Sequence, residues 1–146
     1  MGLTMLVADD SSTIQKVIKI ALAKYAVQII EAGSFIEALG ATGRDQYDML
    51  IVDASLPGAR GPNDFKKMAD QAGGVPMLLL VGSYENVDEN SSRAAGLKGF
   101  VKKPFESRDI IDRVDELLDG RLKQGTGEPA PKAKTLSNEA PSPPSP

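Results

Sequence analysis

The sequence predicts an α/β domain built on a five-stranded parallel sheet, doubly wound, with helices on both faces. Three observations carry this. Five short, largely apolar runs alternate with stretches of helical period: Leu3–Ala8, Val27–Ala32, Met49–Asp53, Met77–Val81 and Gly99–Lys102. Runs that stay apolar, instead of alternating with polar residues, are how strands read when both faces of a sheet are covered. Charged residues stand where three of the runs end: Asp9 and Asp10, Asp53, and Lys103. In open parallel sheets, ligand sites form at the carboxyl ends of strands.

Each element has its own local signal. After the first strand, Ser11 and Ser12 offer N-caps to a helix whose apolar positions Ile14, Val17, Ile18, Ala21, Leu22 and Tyr25 recur at helical spacing. Ser34 follows the second strand and caps a short helix to about Ala41. The third strand leads into the turn Leu56-Pro57-Gly58, and a helix carrying Phe65, Met68 and Ala69 stops at Gly73-Gly74. After the fourth strand, a fourth helix is expected from about Glu85 to Ala95. It is rich in Asn and Ser, and Val87 is its one aliphatic residue before Ala94. Such residues are poor in helix interiors, so this helix is expected to be short, displaced or mobile. The fifth strand is followed by a helix over Asp109–Leu118, with Ile110, Ile111, Val114, Leu117 and Leu118 on one side. Right-handed crossovers join five such βα units into one doubly wound sheet.

Composition bounds the chemistry. The 146 residues allow one domain of ordinary size. No apolar run reaches membrane-spanning length, so the expected location is the cytoplasm, with no membrane partner. Without cysteine or histidine, the chain holds no disulfide, thiol nucleophile, His-ligated zinc or Ser-His-Asp triad. Any phosphohistidine must come from a partner. The net charge of −3 argues against direct binding of nucleic acid. Composition shifts near Gly120: six of the ten prolines lie between there and Pro146. Residues 1–119 therefore read as the domain, and 120–146 as a disordered Pro/Gly/Ser-rich tail or linker. Its Pro-x-x-Pro repeats fit a spacer better than a recognition motif.

Three carboxylates brought to one end of a sheet repel one another unless a cation joins them. Oxygen donors of this kind suit Mg²⁺. The structural alternatives are plain: Asp9 or Asp10 as a helix N-cap, Lys103 as a solvated strand-end lysine, Pro104 as a strand stop. Asp53 is harder to explain structurally, because an unpaired carboxylate at the end of a buried run is costly.

Taken together, the segment Val7-Ala8-Asp9-Asp10-Ser11-Ser12, Asp53 with Leu56-Pro57-Gly58 after it, and Lys103-Pro104 resemble the receiver (CheY-like) domain of bacterial two-component response regulators. The likeness covers residues 3–119, in order and at the expected spacings. It implies a flavodoxin-like sheet of strand order 2-1-3-4-5. It also implies a phosphoryl group received on Asp53 from a sensor histidine kinase or a phosphotransfer protein. Asp10, Asp53 and the Ser55 backbone carbonyl would ligate Mg²⁺, with Asp9 acting mainly through water. Lys103 would pair with a phosphoryl oxygen, and Pro104 would follow a cis peptide that aims the lysine. A downstream protein would bind the face of the fourth and fifth helices and fifth strand, and dimerisation is compatible with the same family.

The sequence departs from the family at the switch. Val81 stands where the family carries Thr or Ser, Gly82 fits its small-residue position, and Ser83 reads as a loop serine. Phe100 occupies the place of the switch aromatic. A second reading follows from these positions: a receiver-fold interaction module with weak or absent phosphorylation-driven switching. An enzyme is disfavoured beyond self-catalysed phosphotransfer and autodephosphorylation. A phosphatase of the haloacid-dehalogenase type wants a second acid where Ser55 stands, and no nucleotide-binding glycine motif occurs.

Overall fold

A computed structural model of the chain describes residues 2–82 and 99–124. Its strands are β1 (Leu3–Ala8), β2 (Val27–Ala32), β3 (Met49–Asp53), β4 (Met77–Val81) and β5 (Gly99–Lys102). Its helices are α1 (Ser12–Ala21), α2 (Phe35–Arg44), α3 (Pro62–Gln71), α4 (Ser107–Leu117) and α5 (Arg121–Gln124). The strands form one parallel sheet in the order β2-β1-β3-β4-β5, the doubly wound arrangement that the sequence predicts. The expected helix over Glu85–Ala95, Ser83 and the tail from residue 125 onward lie outside the described residues.

The apolar runs explain the layers. Successive strand residues point to opposite faces, so each run feeds two cores. On one face Met5, Val7, Met49, Ile51, Leu78, Leu80 and Val101 pack beneath α1 and α4, which contribute Ile18, Ala21, Ile110 and Val114. On the other face Leu6, Leu50, Val52, Met77 and Leu79 meet Ala38 and Ala41 of α2 and Phe65 and Met68 of α3. At Gly99, β5 leaves no room for a side chain beneath α4. A Cβ there would lie 2.6 Å from Leu117 Cδ1 and 3.1 Å from Leu78 Cδ1, so the bare backbone is what lets α4 settle.

Helix ends mostly follow the local signals. The Ser11 side chain accepts from Ile14 N at 3.2 Å, and the Ser34 side chain accepts from Glu37 N at 3.2 Å. α1 ends at Ala21, before the expected Tyr25; Leu22 caps it and Tyr25 N bonds back to Leu22 O. The helical spacing of Leu22 and Tyr25 outlasts the helix because both side chains still pack under the sheet. α2 runs to Arg44, beyond the expected Ala41. Its last turn is held from α3, where Gln71 donates to Thr42 Oγ1 and to Leu39 O.

α5 is a correction to the boundary drawn at residue 119. Leu122 is 1% exposed, seated in the α1/α4 core. Around it Arg121 Nη1 lies 3.5 Å from Asp48 Oδ1, and Lys123 N donates to Asp115 Oδ1 at 3.0 Å. Asp48 Oδ2 accepts from Thr4 N at 2.8 Å, so the starts of β1 and β3 and the end of the described chain meet at one carboxylate. A single leucine in a polar stretch has no periodicity, and only tertiary packing reveals it.

Candidate functional site at the carboxyl ends of the strands

Asp9 follows directly on β1, and its backbone N–H donates to Ala32 O, continuing the pairing with β2 by one step. Asp53 is the last residue of β3. Both are buried, at 0% and 2% exposure, whereas Asp10 is exposed at the mouth of the cleft. One carboxylate oxygen from each of Asp9, Asp10 and Asp53 lies within 4.8 Å of the others. Lys103 follows β5 and is fixed through its backbone, whose N–H donates to Val81 O at 2.7 Å. Its Nζ is 3.3 Å from Asp9 Oδ2 and 3.5 Å from Asp53 Oδ1. The Lys103–Pro104 peptide is cis, and Pro104 itself is exposed.

Asp9 is further held from its own loop. Its Oδ1 accepts from Ser11 N at 2.8 Å, and its carbonyl accepts from Gln15 Nε2 at 2.8 Å. Gln15 also reaches Ala32 O at 3.3 Å, tying the ends of β1 and β2 together. Burial pushes the Asp9 carboxyl above its ordinary pKa, and the charge of Asp53 adds to the rise. The Ser11 N–H and the Lys103 ammonium oppose it. Three carboxylates and the Lys103 ammonium share this end of the sheet. The donor set is hard oxygen, closely spaced and partly desolvated, which fits a small divalent cation such as Mg²⁺.

The sequence reading missed two contributions. Gln15 sits among the apolar positions of α1 with no pattern to mark it. The resemblance points to the Ser55 carbonyl and not to its side chain. Ser55 N and Oγ both donate to Asp53 Oδ1, at 3.0 and 3.1 Å. A hydroxyl two residues beyond a strand-ending aspartate was the available signal. Of the switch positions, Val81 is buried at the end of β4, with no side-chain donor, and Gly82 is half-buried beside it. Phe100 is half-buried, packed on the α2/α3 core.

The likeness to known proteins follows the same residues. The sequence model of the response regulator receiver domain matches residues 5–115. The probable transcriptional regulatory protein TcrX of Mycobacterium tuberculosis is 30% identical over 115 residues, covering 79% of this chain and 49% of that protein. The chain thus spans about half the length of the curated relatives it matches. Among solved structures, a CheY-like response regulator receiver domain protein from Methanospirillum hungatei superposes with a TM-score of 0.73 at 25% identity, over 86% of this chain and 100% of that one. The receiver domain of the sensor histidine kinase PA1611 from Pseudomonas aeruginosa has the same fold, with a TM-score of 0.70 at 21% identity, over 82% of this chain and 99% of that one. With the fold, the strand order and the family match in agreement, the chain belongs to the response regulator receiver domains of two-component signalling.

Proposed function

We propose that Asp53 accepts a phosphoryl group from a phosphohistidine of a sensor kinase or phosphotransfer protein. The observation that carries this reading is the meeting of Asp53 with Asp9, Asp10 and Lys103 at one end of the sheet. An Asp53 carboxylate oxygen forms the new P–O bond while the donor's P–N bond breaks, and the electron pair stays on the imidazole nitrogen, which is then protonated. The product on this chain is an acyl phosphate. Such transfers depend on positioning and charge neutralisation more than on covalent chemistry by the protein.

Lys103 neutralises charge on the phosphoryl oxygens from a fixed backbone. Asp10, Asp53 and the Ser55 carbonyl would hold Mg²⁺, with Asp9 acting mainly through water. The ion, when bound, offsets the charge of the attacking carboxylate and of the incoming phosphoryl group. Magnesium is coordinated in the active-site cleft of the PA1611 receiver domain, and the donor set of this chain is compatible with the same ion. The chain acts as a signalling domain whose chemistry is limited to receiving and losing the phosphoryl group. Its acidic balance favours a protein as the downstream partner over direct contact with nucleic acid.

The test is incubation with a small-molecule phosphodonor and Mg²⁺, followed by intact mass. One phosphoryl adduct, lost in Asp53→Asn, is the expected result. No adduct, or an adduct that survives Asp53→Asn, defeats the proposal.

Val81 supports a second reading, in which the domain binds its partner with little change on phosphorylation. A hydrogen bond to a charged group is worth about 1.5–3 kcal/mol, and driving a switch from 1:99 to 99:1 takes about 5.5 kcal/mol. A missing hydroxyl at Val81 therefore removes a quarter to a half of the coupling. Widespread NMR shift changes beyond the site on adding beryllofluoride would count against this reading.

A further inference from the structure

The hydroxyl absent from Val81 has a counterpart across the cleft. Ser55 lies in the turn after β3, exposed at the surface, with its Oγ 3.1 Å from Asp53 Oδ1. Ser55 N at 3.0 Å and Lys103 Nζ at 3.5 Å approach the same oxygen. Three donors thus converge on Oδ1. Val81 brings only methyl groups to its strand end, and its carbonyl is taken by Lys103 N.

We propose that Ser55 Oγ is the hydroxyl that binds a phosphoryl oxygen on Asp53, in place of a donor from the end of β4. The inference rests on the reading of Asp53 as phosphoacceptor. Donors crowding Oδ1 occupy its lone pairs and leave Oδ2 as the better nucleophile. After transfer to Oδ2, Oδ1 becomes the carbonyl oxygen of an acyl phosphate, and the negative charge lies on the phosphoryl oxygens. Hydrogen bonds to ionised acceptors are about twice as strong as neutral ones. The Ser55 N–H is fixed by the backbone and stays on Oδ1. The hydroxyl turns about χ1 between staggered wells and follows the charge.

This places the first response in the turn after β3. That turn is tied to the rest of the fold: Leu56 N donates to Asp53 O, Ala59 N to Leu56 O, and Phe35 N to Pro57 O at 2.8 Å. A change at Ser55 is therefore passed to residues 54–59 and to the start of α2.

The experiment uses the full chain with saturating Mg²⁺, titrated with beryllofluoride and followed by ¹H–¹⁵N NMR, with Mg²⁺ affinity measured separately. In Ser55→Ala, beryllofluoride affinity is expected to fall about tenfold or more, well beyond any change in Mg²⁺ affinity. Ser55→Thr, which keeps the hydroxyl, should recover to within roughly threefold of the parent. Equal beryllofluoride affinity in the parent and Ser55→Ala would overturn the inference. So would parallel losses for both ligands, which mark a structural role, or failure of Ser55→Thr to recover. If the parent chain takes up neither beryllofluoride nor a phosphoryl group at Asp53, the receiver reading fails and this inference falls with it. If the parent binds and Ser55→Ala binds equally, only the role of Ser55 fails.

Discussion

Lys103 and Asp9, 94 residues apart in sequence, meet at 3.3 Å at the carboxyl end of the sheet. The same ammonium stands 3.5 Å from Asp53. It is therefore both a brake on carboxylate repulsion and a competitor for a bound cation. Lys103→Ala should tighten Mg²⁺ binding several-fold and slow phosphorylation of Asp53 by roughly a hundredfold, since a neutralising group is lost from the transition state. Mg²⁺ titration and the rate of adduct formation, measured side by side, check the opposite signs.

Asp9 supplies a pH prediction. Its carboxyl is raised in the folded protein, chiefly by burial and further by Asp53. A raised acid binds its proton more tightly folded than unfolded, so its stabilising contribution is present below the ordinary carboxylate pKa and is lost as pH rises through the folded value. Above that folded value, and without Mg²⁺, the ionised Asp9 is thus a burden on the fold. Asp9→Asn should raise the metal-free Tm by about 4 °C, equivalent to roughly 1 kcal/mol. The gain should vanish toward acid pH, and the stabilisation by Mg²⁺ should shrink. Thermal melts from pH 3 to 8, with and without Mg²⁺, test all three outcomes.

Gly99 should not accept a side chain without compensation. The Cβ of Gly99→Ala would lie 2.6 Å from Leu117 Cδ1, and overpacking of this kind costs about 1–3 kcal/mol. Combined with Leu117→Ala, the penalty of the added methyl should fall, because its obstacle is gone. A double-mutant cycle in urea reads the coupling directly.

Leu122→Ala should destabilise the fold by about 2–4 kcal/mol, as for other buried leucines. Chemical denaturation measures it. A loss below about 0.5 kcal/mol, the level of an ordinary surface substitution, would show that α5 is not part of the folded body.

Much of this architecture could be read directly from the chain. Five largely apolar runs leave few arrangements open, and charges at the ends of three of them mark the side of the sheet where chemistry gathers. What stayed hidden depends on tertiary contact. Leu122 has no periodic neighbours to announce it. The last turn of α2 persists because Gln71 reaches it from α3. Gln15 and the Ser55 hydroxyl are small polar groups whose partners are settled only once the strand ends converge.

The carboxylate of Asp48 has a practical consequence for anyone attaching something to this domain. Thr4 and Arg121 both meet it at the amino ends of β1 and β3, whereas Asp53 closes the other end of β3. Five residues of strand separate the two levels, roughly 15 Å of sheet. A dye or fusion joined after Gln124 therefore begins on the floor of the molecule, away from the carboxylates of Asp9, Asp10 and Asp53. A cut made at residue 120 would instead pull a stopper from that floor and open the apolar seat of Leu122 to water.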